Sequence, residues 1–350
     1  MLHIEQNNLL IEKTLTERLF PNPSESSLKS LDRIVSDFDF TTFHLLTLPG
    51  EKHLLLISLS LRCWPDLVKH DVVKYLNDKY QPFNEVLTIL STNDVEQGYD
   101  YSLVLDTSTA TTSSNYDEDF KLQLIKELSN LKRNAMAAPF EQAFNRYDEL
   151  LKKYANANTY SEEIQQELFN EPVSVIKYRG IDECIYLKPS FDRVTVIFST
   201  VFQDETDKIF GKVFLQEFVD ARKRSVQTAP QVLYSHMEPP LDIQSVTTAT
   251  TTTTNTANKK DNYGYVTFVL FPRHLVLNKR ENCISHIELF RSYFHYHIKC
   301  SKAYMHSRMR FRVKEYLKIL NRAKPENLDD EGKVIENRKT ASGRRFDIRA

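Results

Sequence analysis

The C-terminal part of the chain contains a very long stretch without a helix-breaking residue. Neither Gly nor Pro occurs from Glu281 to Lys324, and the nearest prolines are Pro272 and Pro325. An α-helix rises about 1.5 Å per residue, so a helix of about 40 residues runs roughly 60 Å, longer than a small domain is wide. The sequence therefore predicts a helix over residues 281–324 that leaves its own domain or runs across two. A polar tail, 325–350, follows it.

Apolar residues lie on two roughly opposite faces of this predicted helix, taking about 100° of rotation per residue. One face carries Phe294, Ile298, Met305, Met309, Val313, Tyr316 and Leu320. The other face carries Leu289, Tyr293, Tyr296, Cys300, Tyr304 and Phe311. A helix that is apolar on two faces is buried on two sides. We expect its own sheet to cover the first face, and either a second protein chain or the first domain of this chain to cover the second.

The same segment is strongly basic. Residues 291–324 contain ten Lys or Arg and one acid, Glu315, although the whole chain is nearly neutral, with 46 basic and 47 acidic residues. The basic side chains gather at the helix end, at Arg310, Lys314, Lys318 and Arg322. A basic surface suits an acidic partner, which is nucleic acid, anionic lipid or an acidic protein. The alternative is a solvated helix end whose charge complements the helix dipole.

The first 155 residues have the pattern of an α+β domain, and a chain of 350 residues has room for about two domains. Helices are predicted at 8–20, from Pro65 to about Tyr80, and from Asp117 to about Tyr154, where Pro139 should kink or split the helix. Pro49 and Gly50 predict a hairpin turn between two strands. The strand candidates are 38–48, 53–61, 86–92 and 101–106, and a polar loop is predicted at 107–115.

Residues 156–280 repeat this pattern and predict a second domain. Its strand candidates are 173–179, 183–188, 193–202, 209–218, 231–235 and 264–271. Eight of the ten residues from Thr247 to Thr256 are threonine, so we expect a disordered insertion at 245–260. The predicted fold is α+β, with two similar α/β sandwich domains built on antiparallel sheets and a long C-terminal helix after them.

Glycine spacing excludes several classes of enzyme. The seven glycines are at least 11 residues apart, whereas a dinucleotide fingerprint, a P-loop and a nucleophile elbow all need glycines a few residues apart. The four cysteines form no CxxC pair. His297 and Cys300 are three residues apart on the predicted helix, but a zinc site needs three or four ligands, and a packed aromatic segment fits His295 to His297 better. We expect no catalytic site, no metal and no cofactor.

The N-terminus has acidic residues where a signal peptide has basic ones, and no apolar run approaches 18 residues. Widely spaced free cysteines fit a reducing compartment. We therefore expect a cytosolic protein with no membrane span.

Several motifs together resemble one family. They are SDFDF (36–40), LKRNAMAAPFEQAF (131–144), DRVTVIFSTVF (192–202), GKVFLQEF (211–218), TAPQVLYSHMEPPL (228–241), GYVTFVLFPRH (264–274), HYHIKCSKAY (295–304) and MHSRMR (305–310). In this order they resemble the subunit 2 family, the 34-kDa scaffold subunits of the actin-related protein 2/3 complex. The threonine tract, much of 81–97, 107–115 and the tail after Pro325 depart from the family's pattern.

The resemblance implies two similar α/β domains and a long C-terminal helix that packs against a helix of subunit 4. It implies a scaffold that carries the two actin-related proteins, contacts the mother filament and acts in branched actin nucleation in the cytoplasm, at cortical actin structures. In that case Leu289, Tyr293, Tyr296, Cys300, Tyr304 and Phe311 belong to the partner-subunit interface. Arg310, Lys314, Lys318 and Arg322 then contact the filament, and no nucleic acid is bound.

Two other functions compete with this one. A nucleic-acid-binding module would use the basic helix, with aromatic side chains between the bases as stacking platforms. Here the aromatics fall on stripes that we expect to be buried. A soluble enzyme is disfavoured because no catalytic signature is present.

Overall fold

The computed structural model describes residues 4–21, 29–112, 116–155, 161–180, 182–202, 204–224, 227–251 and 263–323. Within these ranges the chain forms two five-stranded antiparallel sheets, with helices, and ends in a long helix. This is the α+β fold that the sequence predicts.

The first sheet has the strand order β1-β2-β3-β5-β4, and every neighbouring pair is antiparallel. Its strands are β1 (Asp32–Asp37), β2 (Thr41–Thr47), β3 (Leu54–Leu61), β4 (Leu87–Ile89) and β5 (Tyr101–Asp106). Alternate residues of β2 are buried, which is the period of a strand with one face on the core.

The second sheet repeats this topology. Its order is β6-β7-β8-β10-β9, again antiparallel throughout. Its strands are β6 (Ser174–Ile176), β7 (Ile185–Pro189), β8 (Val194–Val201), β9 (Gln231–His236) and β10 (Tyr263–Leu270). In both sheets helical chain connects the third strand to the fourth, and a long helix follows the fifth, so the two halves of the chain are built on one plan.

Ten helices lie in the described ranges. They are α1 (Leu9–Leu19), α2 (Trp64–Val68), α3 (Val72–Tyr80), α4 (Thr107–Thr112), α5 (Glu118–Ser129), α6 (Leu131–Lys153), α7 (Glu162–Phe169), α8 (Glu205–Arg224), α9 (Gln244–Thr251) and α10 (Leu277–Ala323). The predicted C-terminal helix is confirmed and begins four residues earlier than expected.

One hydrophobic cluster extends through both sheets and several helices. It includes Phe43 of the first sheet, Phe140 of α6, Phe198 of the second sheet and Phe294 of α10, each no more than 1% exposed. The rings of Phe198, Phe268 and Phe290 meet at centroid distances of 4.7–6.0 Å. The first part of α10 is therefore a structural element of this core.

The predicted strand at 209–218 is wrong, because these residues lie inside α8. β-Formers dominate the segment, but Phe210, Phe214 and Phe218 are four residues apart, which places them along one helical face. Phe214 contacts Phe294 and Phe218 contacts Phe290, at 5.7 and 6.5 Å between ring centroids. Packing on α10 therefore outweighs the strand propensity of the aromatic residues.

Two predicted helices are broken at positions that the sequence analysis did not identify. The helix from Pro65 to Tyr80 is α2 and α3, separated near Asp71, which has a φ of 55°. The helix from Asp117 to Tyr154 is split at Asn130, while Pro139 lies inside α6. The Asn130 amide donates to the Lys126 carbonyl at 2.9 Å, so its side chain competes for a helical acceptor.

Two predicted irregular segments are partly helical. In the predicted loop 107–115, residues 107–112 form α4. Asp106 caps the start of this helix, because its carboxylate accepts hydrogen bonds from the backbone amides of Ser108 and Thr109. In the predicted insertion 245–260, residues up to Thr251 belong to α9, and Val246 packs beside Tyr186 and Tyr265 of the second sheet. Residues 252–260 lie outside the described ranges, as does the predicted tail 325–350.

The chain divides into a compact unit that ends at Ile298 and a second unit that begins at Lys299. Both sheets belong to the first unit. The domain boundaries predicted from the sequence, 1–155, 156–280, 281–324 and 325–350, stay a prediction.

Candidate interaction surface

The first part of α10 is held by a set of ion pairs and hydrogen bonds. Arg133 of α6 is 6% exposed, donates to the Ser285 hydroxyl at 2.9 Å, and pairs with Glu281 at 2.5 Å. One Arg280 nitrogen lies 2.7 and 2.8 Å from the two carboxylate oxygens of Asp148. Charge-assisted contacts of this kind fix orientation, so the direction of the helix is set by several residues before Ile298.

A further ion pair involves Arg291. Its guanidinium lies 2.6 Å from Glu183. Burial lowers the pKa of Arg291, but the nearby Tyr178, Glu183 and Asp39 outweigh burial and raise it. On the neighbouring turn the Tyr293 hydroxyl donates to the Ile4 carbonyl at 3.1 Å. Tyr293, which the sequence placed in the partner interface, thus has a contact within its own chain.

Burial along α10 ends at Ile298. Ile284, Ile287, Phe290, Phe294 and Ile298 are each no more than 5% exposed. They are three or four residues apart, which is the spacing of one helical face. The expectation that the chain itself covers the first apolar stripe therefore holds for Phe294 and Ile298, which belong to its hydrophobic core.

Beyond Ile298 that expectation is wrong. The remaining members of the stripe are exposed: Met305 by 47%, Met309 by 60%, Val313 by 55%, Tyr316 by 61% and Leu320 by 42%. The physical reason is that the side chains of the described hydrophobic core cover α10 only as far as Ile298. This part of the helix offers bare apolar surface on the face that was assigned to the core.

The second stripe changes along the helix in the same way. Leu289, Tyr293 and Tyr296 are half-buried, whereas Cys300, Tyr304 and Phe311 are exposed, the last two by 60% and 61%. Leu317 and Ile319 are also exposed, by 49% and 63%. They belong to neither predicted stripe, so the helical spacing does not identify them as part of this surface. We define the apolar end of α10 as the exposed apolar residues from Tyr304 to Leu320.

The four predicted basic residues lie on this same end and are all exposed: Arg310, Lys314, Lys318 and Arg322. Lys318 pairs with Glu315 at 2.9 Å. One continuous surface is lined by His306, Met309, Arg310, Val313, Lys314, Leu317, Lys318 and Asn321. Basic side chains therefore share this surface with the apolar side chains of Met309, Val313 and Leu317.

His297, the histidine three residues before Cys300, has a packing role. His297 is half-buried and stacks on Phe214 at 4.9 Å between ring centroids, and on Tyr293 at 6.3 Å. Within the described residues no group of three His, Cys, Asp or Glu side chains is placed to hold a metal ion. None of the helices in those ranges is long and apolar enough to cross a membrane.

Exposed aromatics weaken one argument from the sequence. Tyr304, Phe311 and Tyr316 were expected to be buried, and this counted against nucleic-acid binding. In the single chain they are exposed beside Arg308, Arg310 and Arg312. The choice between an acidic protein and nucleic acid therefore depends on comparison with known proteins.

A two-sheet body with a long helix that ends in exposed apolar and basic residues defines an interaction subunit of a larger assembly. The family described as "Arp2/3 complex, 34 kD subunit p34-Arc" matches residues 57–327. The chain belongs to this family. The family name describes a structural subunit of a complex and not an enzyme, in agreement with the expectation of a non-catalytic chain.

Two curated relatives cover almost the whole chain. The actin-related protein 2/3 complex subunit 2 of Schizosaccharomyces pombe is 44% identical over 347 residues, which are 99% of each chain. The protein of the same name from Dictyostelium discoideum is 35% identical over 307 residues, 88% of this chain and 90% of its own. The resemblance stated from the motifs is confirmed, by the family match over residues 57–327 and by a relative that covers 99% of the chain.

Proposed function

We propose that the chain is the structural scaffold subunit 2 of an actin-related protein 2/3 complex and acts in branched actin nucleation. Its family and both curated relatives carry the name of that complex. In this role it works in the cytoplasm with the actin cytoskeleton, including cortical actin structures. It binds neither nucleic acid nor a cofactor.

The observation that carries the proposal is the apolar end of α10. Nine large apolar side chains between Tyr304 and Leu320 are 42–63% exposed on one helix, namely Tyr304, Met305, Met309, Phe311, Val313, Tyr316, Leu317, Ile319 and Leu320. Contiguous apolar surface of this kind marks a protein interface. The occupant we propose is a long helix of subunit 4, because two helices bury the most apolar area when they pack along their length.

The basic residues of the same helix are proposed to contact the mother filament. Arg310, Lys314, Lys318 and Arg322 recur every four residues and are exposed. Long basic side chains pack their stems on apolar surface while their charged groups reach solvent. They can therefore border a subunit interface and still meet an acidic filament surface.

The test of the filament contact is charge reversal of these four residues to Glu, in a complex purified with the other subunits. We expect the complex to assemble and to co-sediment less with actin filaments. Rim charges act mainly through association rate and salt sensitivity. The defect should be largest at low salt, where the Debye length is about 30 Å at 0.01 M.

The matched control is Lys13→Glu, which reverses an exposed basic residue on α1. Co-sedimentation is measured across a salt series for wild type, the fourfold variant and the control. Wild-type binding by the fourfold variant at low salt would show that these residues are only a solvated face. Failure of the variant to assemble would place them in the subunit interface instead.

A further inference from the structure

The SDFDF segment, residues 36–40, forms the tip between β1 and β2 and has an unusual backbone. Asp39 has a φ of 63° and Phe40 a φ of 57°. This left-handed region is unfavourable for side chains other than glycine, and a bulky residue there is a genuine outlier. Backbone strain at a surface turn persists only where the surroundings impose it, and it concentrates at functional sites.

Two other elements hold the tip in place. The Lys132 ammonium of α6 donates to the Phe38 carbonyl at 2.8 Å and lies 3.3 Å from the Asp39 carboxylate. The Arg179 guanidinium, three residues after β6, lies 3.3 Å from the same carboxylate. The tip is therefore fixed from two sides and is not a loose hairpin end.

This fixed tip displays two aromatic side chains. Phe38 is 57% exposed and Phe40 is 58% exposed. The Arg62 guanidinium carbon stands 4.6 Å from the centroid of the Phe40 ring, a cation–π contact. Aromatic side chains and arginine are the residues most enriched in protein interfaces.

The charges around the tip indicate what kind of partner fits. The carboxylates of Asp37 and Asp39 both face Lys132, and Asp39 also faces Arg179. Arg62 forms no ion pair with any of the described residues, so its charge is available to a partner. The complementary surface is an apolar pocket that takes a phenylalanine ring and has a carboxylate at its rim.

We propose that Phe38, Phe40 and Arg62 form a second interaction surface that binds another subunit of the same complex, separate from the apolar end of α10. This rests on the proposed function for the identity of the assembly. A permanent subunit fits better than the filament, because permanent interfaces are more apolar than transient ones. A surface that is already rigid also loses little entropy on binding.

The test compares complexes purified through a tag on the full chain. Phe38→Ser with Phe40→Ser should weaken retention of one other subunit by about tenfold or more, as truncation of interface anchor residues does. Arg62→Glu should also weaken retention of this subunit, and the size of that effect should depend on the salt concentration. Phe169→Ser is the matched control, since Phe169 is also 58% exposed but belongs to α7.

A further variant separates binding from folding. Phe40→Gly relieves the left-handed backbone and so should not lower the melting temperature, yet it removes the ring. We expect it to weaken retention of the same subunit that the double variant Phe38→Ser with Phe40→Ser weakens. Retention of every subunit at the wild-type level by both variants would overturn the proposal.

Two other outcomes are distinguishable. If the variant complexes are complete but bind filaments less than wild type, the filament occupies this surface and the subunit assignment is wrong. If the wild-type chain retains no subunit at all, the proposed function fails, and the partner proposed here fails with it.

Discussion

At the scale of single residues, the most unusual ionisable group is Glu288 on α10. Its Oε1 atom is buried with no hydrogen-bond partner among the described residues. Burial raises the pKa of this carboxyl to about 8; the charges of Arg133 and Lys132 lower it, and those of Glu281 and Asp39 raise it. The carboxyl is therefore largely protonated near neutral pH in the folded chain.

Glu288 makes stability depend on pH. Its pKa is higher in the folded state than in the unfolded state, so the carboxyl stabilises the fold more at low pH than at high pH. The whole of this contribution to the free energy of unfolding is present below about pH 4.3, the unfolded pKa, and it is lost as the pH rises through about 8. Glu288→Gln keeps the shape and cannot ionise. The stability of wild type relative to this variant should fall from pH 5 to pH 8 and level off above about pH 9.

The measurement is urea unfolding of both proteins at several pH values. The control is Glu315→Gln, a change at another acid of α10 that pairs only at the helix surface. Parallel stability curves for wild type and Glu288→Gln would contradict the account of a buried neutral carboxyl.

At the scale of elements, the contact of α8 with α10 depends on Gly211. A methyl group at this position would lie 2.8 Å from the Phe202 ring and 3.1 Å from the Phe294 ring. Both rings are buried, with 3% and 0% exposure, so they have no free space to move into. Glycine is therefore required at position 211, because the Phe202 and Phe294 rings approach its backbone closely.

Gly211→Ala should destabilise the protein. Alanine gains about 1 kcal/mol of helix propensity, but overpacking a dense core costs roughly 1–3 kcal/mol, so we expect a net loss of about 1 kcal/mol. Gln216→Ala, at an exposed position of the same helix, is the control and should change stability by less than about 0.5 kcal/mol. Thermal melting compares the two. A higher melting temperature for Gly211→Ala would mean that the helices separate easily.

The sequence predicts the elements whose pattern is local and misses those that depend on distant partners. The hairpin turn at Gly50 and β8 follow from turn chemistry and β-branched residues. The aromatic content of residues 209–218 predicts a strand, whereas the four-residue spacing of their phenylalanines predicts a helix. The spacing is decisive because these phenylalanines pack on Phe290 and Phe294, which lie far along the chain. At the split, the Asn130 side chain donates a hydrogen bond to the Lys126 carbonyl, and hydrophobic periodicity carries no information about such a bond.

The candidate site was predicted in part. Its position on the C-terminal helix and its basic residues follow from spacing and charge. The point at which burial ends, Ile298, does not, because a stripe of apolar residues looks the same whether its own core or another chain covers it. Phe38 and Phe40 stand out in the sequence only as part of a motif, since Asp39-Phe40 lacks the Asn-Gly or Asp-Gly pair that predicts two left-handed residues in succession.

At the scale of the whole molecule, the described residues include two packed sheets and a helix end whose apolar side chains are exposed. The two sheets have the same strand order, and the helix that follows the second sheet continues 25 residues beyond the last buried position, from Ile298 to Ala323. A single chain gains no stability from that apolar surface, so its presence points to assembly with another protein.

The measurement that tests this most directly is co-purification of tagged full-length chain with subunit 4. The variant carries Phe311→Asp and Leu320→Asp on the apolar end of α10, and Ile34→Asp, at a 65% exposed residue of β1, is the control. Burying an unpaired carboxylate in an apolar interface is strongly unfavourable. Wild type and the control should retain subunit 4, and the double variant should lose it while both sheets stay folded. Equal retention of subunit 4 by the double variant and wild type would contradict the account.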